Sequence, residues 1–137
     1  MSDAKWKLSG GTFKHVESEL YSFHETKKEL HYLRTEILYK NQHSRSDHLI
    51  SDPTGEKATL LSTDRRIQHL EKVIDAITTV YEQLPKEKKK LVHLLYWKKP
   101  QQYNWEGIAA QVPISKRQAQ RWRKSIVEQI AKRLGWR

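Results

Sequence analysis

The sequence predicts an all-α protein, with an N-terminal long helical hairpin or coiled-coil arm followed by a C-terminal helix-turn-helix domain. Three observations predict it. Apolar residues recur every seven positions over two long stretches, as they do along amphipathic helices. No stretch alternates apolar and polar residues as a half-buried strand would. The charge is also divided: residues 1–84 hold 12 basic and 13 acidic side chains, whereas residues 85–137 hold 14 and 3. The C-terminal segment alone therefore accounts for the net charge of +10.

Composition sets the outer limits. Charged residues make up 31% of the 137 positions and the mean hydropathy is −0.87, so a large core is not expected. The 36% hydrophobic fraction is nevertheless too high for a wholly disordered chain. With no cysteine, disulfides and thiolate metal sites are excluded. No apolar run approaches the length of a membrane span, and the N-terminus lacks a signal-peptide core. The chain reads as soluble and intracellular, with no membrane partner.

Residues 1–12, with Ser9, Gly10 and Gly11, form a flexible N-terminus. Residues 13–84 form the arm. Its first helix is expected from about Thr12 to Lys40, on the heptads Phe13, Leu20, Lys27, Arg34 and Val16, Phe23, Leu30, Ile37. Residues 41–57 break the pattern, with turn chemistry at Asp52-Pro53 and Gly55. The second helix is expected from about Glu56 or Ala58 to Leu84, on Leu60, Ile67, Ile74, Tyr81 and Thr63, Leu70, Ile77, Leu84. Each helix has one apolar stripe that needs covering. Pairing within the chain and homodimerisation through these N-terminal helices both remain open at this point.

Residues 85–137 form the helix-turn-helix domain. Pro85 suits the start of a helix, expected from Lys86 to Trp97, with Leu91, Leu94 and Leu95 inward and Lys88, Lys89 and Lys90 outward. Asn104 caps a helix from Trp105 to Val112, and Pro113 stops it. Ser115 caps the last helix, which runs to about Leu134 with Gly135 as its stop.

The stretch from Trp105 to Lys124 fits a helix-turn-helix position by position. Ala109 is small where two helix axes must approach. Ile108 and Val112 face the core and Ile114 fills the interior. Ala119, Trp122 and Ile126 form the inner face of the last helix. Left over on that helix are Lys116, Arg117, Gln118, Gln120, Arg121, Arg123 and Lys124, none of them acidic. A helix fits the major groove with its N-terminal residues at the base edges. Arg117 or Arg121 suits guanine, and Gln118 or Gln120 suits adenine. Pro113 stands where many such motifs have glycine. Its ring disfavours positive φ, so a turn of another type is expected. The candidate DNA-binding set is Ser115, Lys116, Arg117, Gln118, Gln120, Arg121 and Lys124, with Lys88 and Lys89 on phosphates. Lys86, Lys90, Lys98 and Lys99 are further phosphate candidates, since such contacts orient a protein without reading sequence.

Other chemistry finds little footing. The seven histidines are too scattered for a zinc site. His43, Asp47, His48 and Asp52 share a loop but are ordinary loop residues. Thr54-Gly55-Glu56-Lys57 lacks the glycines and spacing of a phosphate cradle. Tyr96, Trp97, Trp105, Trp122 and Trp136 sit at helical spacings that suit packing better than base stacking. The expectation is a non-enzymatic protein without cofactor or metal.

Asp52-Pro-Thr-Gly-Glu-Lys-Ala58, Arg65-Arg-Ile-Gln-His-Leu-Glu71, Tyr96-Trp97, Trp105-Glu-Gly-Ile-Ala109 and Ala131-Lys-Arg-Leu-Gly135 together resemble the RinA/ArpU-like phage transcriptional regulators. The resemblance covers about residues 50–135. The segment from Leu84-Pro85 to Arg121 is similar to region 4 of bacterial sigma factors. The resemblance implies a phage-encoded activator of late, packaging and structural genes. It would act on double-stranded DNA beside the host RNA polymerase, in the bacterial cytoplasm at the nucleoid. The alternative is a small terminase-like subunit that recognises DNA for packaging.

Overall fold

The computed structural model describes residues 7–43, 53–99 and 104–137. Among these residues the fold is all-helical, with α1 (Gly10–Tyr21), α2 (Phe23–His43), α3 (Pro53–Glu82), α4 (Lys86–Val92), α5 (Trp105–Gln111) and α6 (Lys116–Leu134). α4 runs directly into a π-helical turn, His93–Trp97. No helix is long and apolar enough to cross a membrane, among the described residues.

The chain divides into two compact units, one made of residues up to Ser22 together with Asp75–Arg137, the other of Phe23–Ile74. The arm expected over 13–84 is thus split, because α1 and the last turns of α3 belong with the C-terminal helices. The flexible start expected over 1–12 is corrected at its end. Gly10, Gly11 and Thr12 are helical, and Ser9 caps them by accepting from the Thr12 amide at 3.0 Å. An N-cap serine satisfies an amide that has no partner within the helix, typically a gain of about 1 kcal/mol.

The single helix expected from Thr12 to Lys40 is two, separated at Ser22. The Leu20 carbonyl accepts the Trp97 indole N–H at 3.0 Å, and Ser22 takes φ −91°, ψ 2°. A partner 77 residues away thus meets the end of α1, which heptad spacing cannot reveal. α3 begins earlier than expected, and Pro53 and Gly55 lie within its first turn rather than in a loop. Proline is tolerated there because a first-turn amide has no helical partner to lose.

In the second unit, α2 and α3 are joined within the chain. Arg66 donates to Glu29 at 2.8 and 3.0 Å, and Arg34 to Glu71 at 2.5 Å. These side chains are about half exposed, so each pair contributes about 0–1 kcal/mol. Burial of Phe23, Thr26, Leu30, Leu70 and Val73 marks the apolar seam. Tyr32, Leu38 and Tyr39 on α2 are exposed.

In the first unit α6 is central, contacted by α1, α4 and α5. Ala119, Val127 and Ala131 are fully covered, and Ile126, Ile130 and Leu134 nearly so. From the other elements come Val16 and Leu20 of α1, Ile77 and Val80 of α3, Leu91 and Val92 of α4, and Ile108 of α5. Of the α3 heptads, Leu70, Ile77 and Leu84 are buried, whereas Ile67, Ile74 and Tyr81 are half-buried. Val73 and Val80, outside both expected series, complete the stripe.

Candidate nucleic-acid interface

The interface is built on a turn between two capped helices. The Asn104 side chain accepts from the Gly107 amide at 2.9 Å and starts α5. Ser115 accepts from the Gln118 amide at 3.0 Å and starts α6. Residues 105–124 are therefore two helices, not one rod. Ala109 of α5 and Ala119 of α6 are buried at 5% and 0% exposure, and the two helices are in contact. Methyl side chains at these positions let two backbones come close.

The connection has an unusual feature. The Ile114 amide bonds back to the Ala109 carbonyl at 3.0 Å, and Pro113 between them has φ 24°. The end of α6 shows the same design in full: Gly135 at φ 74°, Trp136 N–H to the Ala131 carbonyl at 2.9 Å, and Gly135 N–H to Lys132 at 3.1 Å. This is the helix-ending motif that favours glycine. The expectation that Pro113 would enforce a different turn is corrected. The turn keeps the positive φ and gives up the second hydrogen bond, since proline has no N–H.

α6 presents its cations along one side. Arg117, Gln120, Arg121 and Lys124 are exposed, and their three- and four-residue spacings place them along one face. Ala119 and Ile126 lie on the opposite side, in the core. Lys116 is exposed and 3.9 Å from Glu106, a separation that adds little in water. Gln118 is half-buried, and Ser115 is exposed while serving as the cap. The first acid on α6 is Glu128, one turn beyond Lys124.

Two of the expected outward lysines are drawn in. Lys88 and Lys89 are half-buried. The Lys88 ammonium lies 5.3 Å from the Trp122 ring centre, and that of Lys89 lies 5.5 Å from Tyr81. A cation over an aromatic face gains about 0.5–1 kcal/mol and keeps its outer hydrogens. Lys88 is thereby held beside α6. Lys86, Lys90 and Lys99 are exposed, and Lys98 is half-buried.

Arg123, grouped by sequence with the outward donors, has a different place. Its guanidinium donates to both Glu17 oxygens at 2.9 and 3.1 Å. It lies 5.0 Å from the Phe13 ring centre and 5.4 Å from that of Trp105. The Tyr96 hydroxyl donates to the same carboxylate at 2.6 Å. Hydrogen bonding to Glu17 holds Arg123 above the usual guanidine range. Burial, followed by the Glu17 hydrogen bond, pushes the Tyr96 phenol well above its ordinary value. A pocket of about 230 Å³ opens beside this cluster, lined in part by Tyr21, Asn104 and Trp105. Sequence reasoning missed Glu17. It sits on a helix assigned to the arm, and no local spacing links it to a residue 106 positions away.

The aromatics pack as expected, though less deeply. Tyr96 is buried, while Trp97, Trp105, Trp122 and Trp136 are half-buried. Trp136 stacks on His15, with ring centres 4.5 Å apart. Asp47, His48 and Asp52 and the side chain of His43 lie outside the described residues. Among the described residues, no three metal-binding side chains cluster.

The sequence model of a protein family described as "Protein of unknown function (DUF722)" matches residues 20–132. No curated protein and no solved structure matches the chain.

Proposed function

We propose, from the premise that the chain belongs to the DUF722 family, that this protein is a sequence-specific DNA-binding regulator. α6 lies in the major groove, and Arg117, Gln120 and Arg121 meet base edges. Lys116, Lys124 and Lys88 meet phosphates, as do other lysines of α4. One observation carries the reading. The exposed face of α6 from Lys116 to Lys124 bears only cations and amides, and its inner face is seated through Ala119. Cations alone would give binding without preference. Cations and amides on a helix seated against a second short helix also give base readout.

The resemblance to RinA/ArpU-like regulators supports the finer reading: a phage-encoded activator of late genes, working beside the host polymerase in the bacterial cytoplasm. The α2–α3 unit then supplies a partner surface, for a second copy or for polymerase.

The test is to select fragments of the source genome on the purified chain and footprint those retained. The expected result is a protected duplex site upstream of late genes. Protection at a packaging start would support a terminase-like role instead. Failure to retard any duplex at low salt would overturn the DNA-binding reading.

A further inference from the structure

The Arg123–Glu17 pair joins the recognition helix to a helix that no helix-turn-helix pattern includes. Three elements besides α6 converge on the ion pair: α1 through Glu17 and Phe13, α5 through Trp105 over the guanidinium, and the π-helical turn through the Tyr96 hydroxyl on the Glu17 carboxylate. We infer that Glu17 is a positioning residue for DNA reading, acting through Arg123 to fix the rotation of α6 about its own axis. The inference rests on the DNA-binding reading.

Apolar packing fixes the C-terminal half of α6 more firmly than the half that begins at Lys116. Between Lys116 and Lys124 the one buried residue is Ala119, and the bulky anchors Ile126, Val127, Ile130 and Leu134 all lie beyond it, so a single methyl group seats the half of α6 that carries Arg117 and Arg121. A roll of about 20° would move a guanidinium about 8 Å from the axis by about 3 Å, a whole hydrogen-bond length. Arg117 and Arg121 would then miss the base edges they are set to meet. Two parallel hydrogen bonds hold a guanidinium and a carboxylate close to one plane, so the pair has a defined direction. Here the nearby Phe13 and Trp105 rings constrain the guanidinium further.

Stability alone does not account for such a pair. A partly buried ion pair contributes about as much as well-packed apolar residues of the same volume. What it adds is direction. The π-helical turn serves the same end. Its wider winding lets adjacent residues Tyr96 and Trp97 both reach α1, at Glu17 and at the Leu20 carbonyl.

The test uses the full chain in two variants. One replaces the cluster by apolar groups, Glu17→Leu with Tyr96→Phe and Arg123→Met, so that no buried partner is left unpaired. The other is Arg123→Lys, which keeps the charge and loses the fork. For both, the ratio of cognate to random-duplex affinity should fall roughly tenfold or more, the loss of one bidentate base contact. The salt dependence, which counts phosphates, should not change. A folded variant that keeps the wild-type ratio overturns the inference, and Arg123→Lys decides the matter if the triple variant does not fold. Wild-type protein without preference among duplexes would instead defeat the DNA reading. The clamp is then judged from amide resonances of the DNA-free chain. Doubled or broadened α6 signals in the variants support it, and sharp, unshifted signals overturn it.

Discussion

The Trp97 indole donates to the Leu20 carbonyl at 3.0 Å, and α1 ends one residue later, at Tyr21. This contact joins the two segments of the C-terminal unit. Trp97→Phe keeps a ring against Tyr81 but removes the indole donor from that carbonyl. The expected cost is about 1–3 kcal/mol, read as a lower denaturation midpoint at unchanged slope. An unchanged midpoint would show that water satisfies the carbonyl equally well.

Arg117 and Arg121 lie on the exposed side of α6. Replacing either with alanine should weaken cognate binding by about 1–3 kcal/mol and relax preference at one base position. Equal losses on cognate and random duplexes, in parallel titrations, would assign these residues to phosphates.

Ala119 has no exposed surface. Ala119→Leu forces α5 and α6 apart and should destabilise the fold by about 1–3 kcal/mol. Thermal unfolding measures this directly. Cognate binding should weaken more than random binding, because the outward face moves with the helix.

Pro113 occupies a positive-φ position that suits glycine and lacks the N–H that Gly135 uses at the equivalent place. Pro113→Gly should raise stability by about 1 kcal/mol through relief of backbone strain. A lower melting temperature would mean that proline's stiffening of the unfolded chain matters more.

The Tyr96 phenol is raised by burial and by its bond to Glu17. A raised acid keeps its proton in the folded state after the unfolded chain has lost it. Its contribution is therefore complete below about pH 10, the ordinary phenol value, and falls as the pH rises beyond it. Stability should decline above that point in wild type and decline less in Tyr96→Phe. Phenolate absorbance should show one tyrosine titrating only as the protein unfolds.

Much of this architecture was legible in local pattern. Heptads located the long helices, and Ser115, Asn104 and Gly135 marked their own caps, because capping acts within one turn. Ala109 and Ala119 were identifiable because a close helix crossing admits few side chains. What escaped was set by distant partners. Ser22 breaks a helix with Trp97's help, and Arg123 looks like its exposed neighbours until Glu17 is placed beside it. Lys88 and Lys89 read as outward on a helical wheel, which does not show the rings of Trp122 and Tyr81. The positive φ at Pro113 runs against local preference and is imposed by the turn that joins α5 to α6.

The C-terminal unit is discontinuous, with Phe23–Ile74 intervening between its segments. During synthesis α1 leaves the ribosome well before its counterpart α6 exists. Val16, Leu20 and Glu17 must wait for the last helix, and closing so long a loop is slow relative to local helix formation. The α2–α3 unit has no such delay. Nascent chains should therefore gain the α2–α3 unit first and the packed α6 last, which leaves a window in which chaperones meet an uncovered α1.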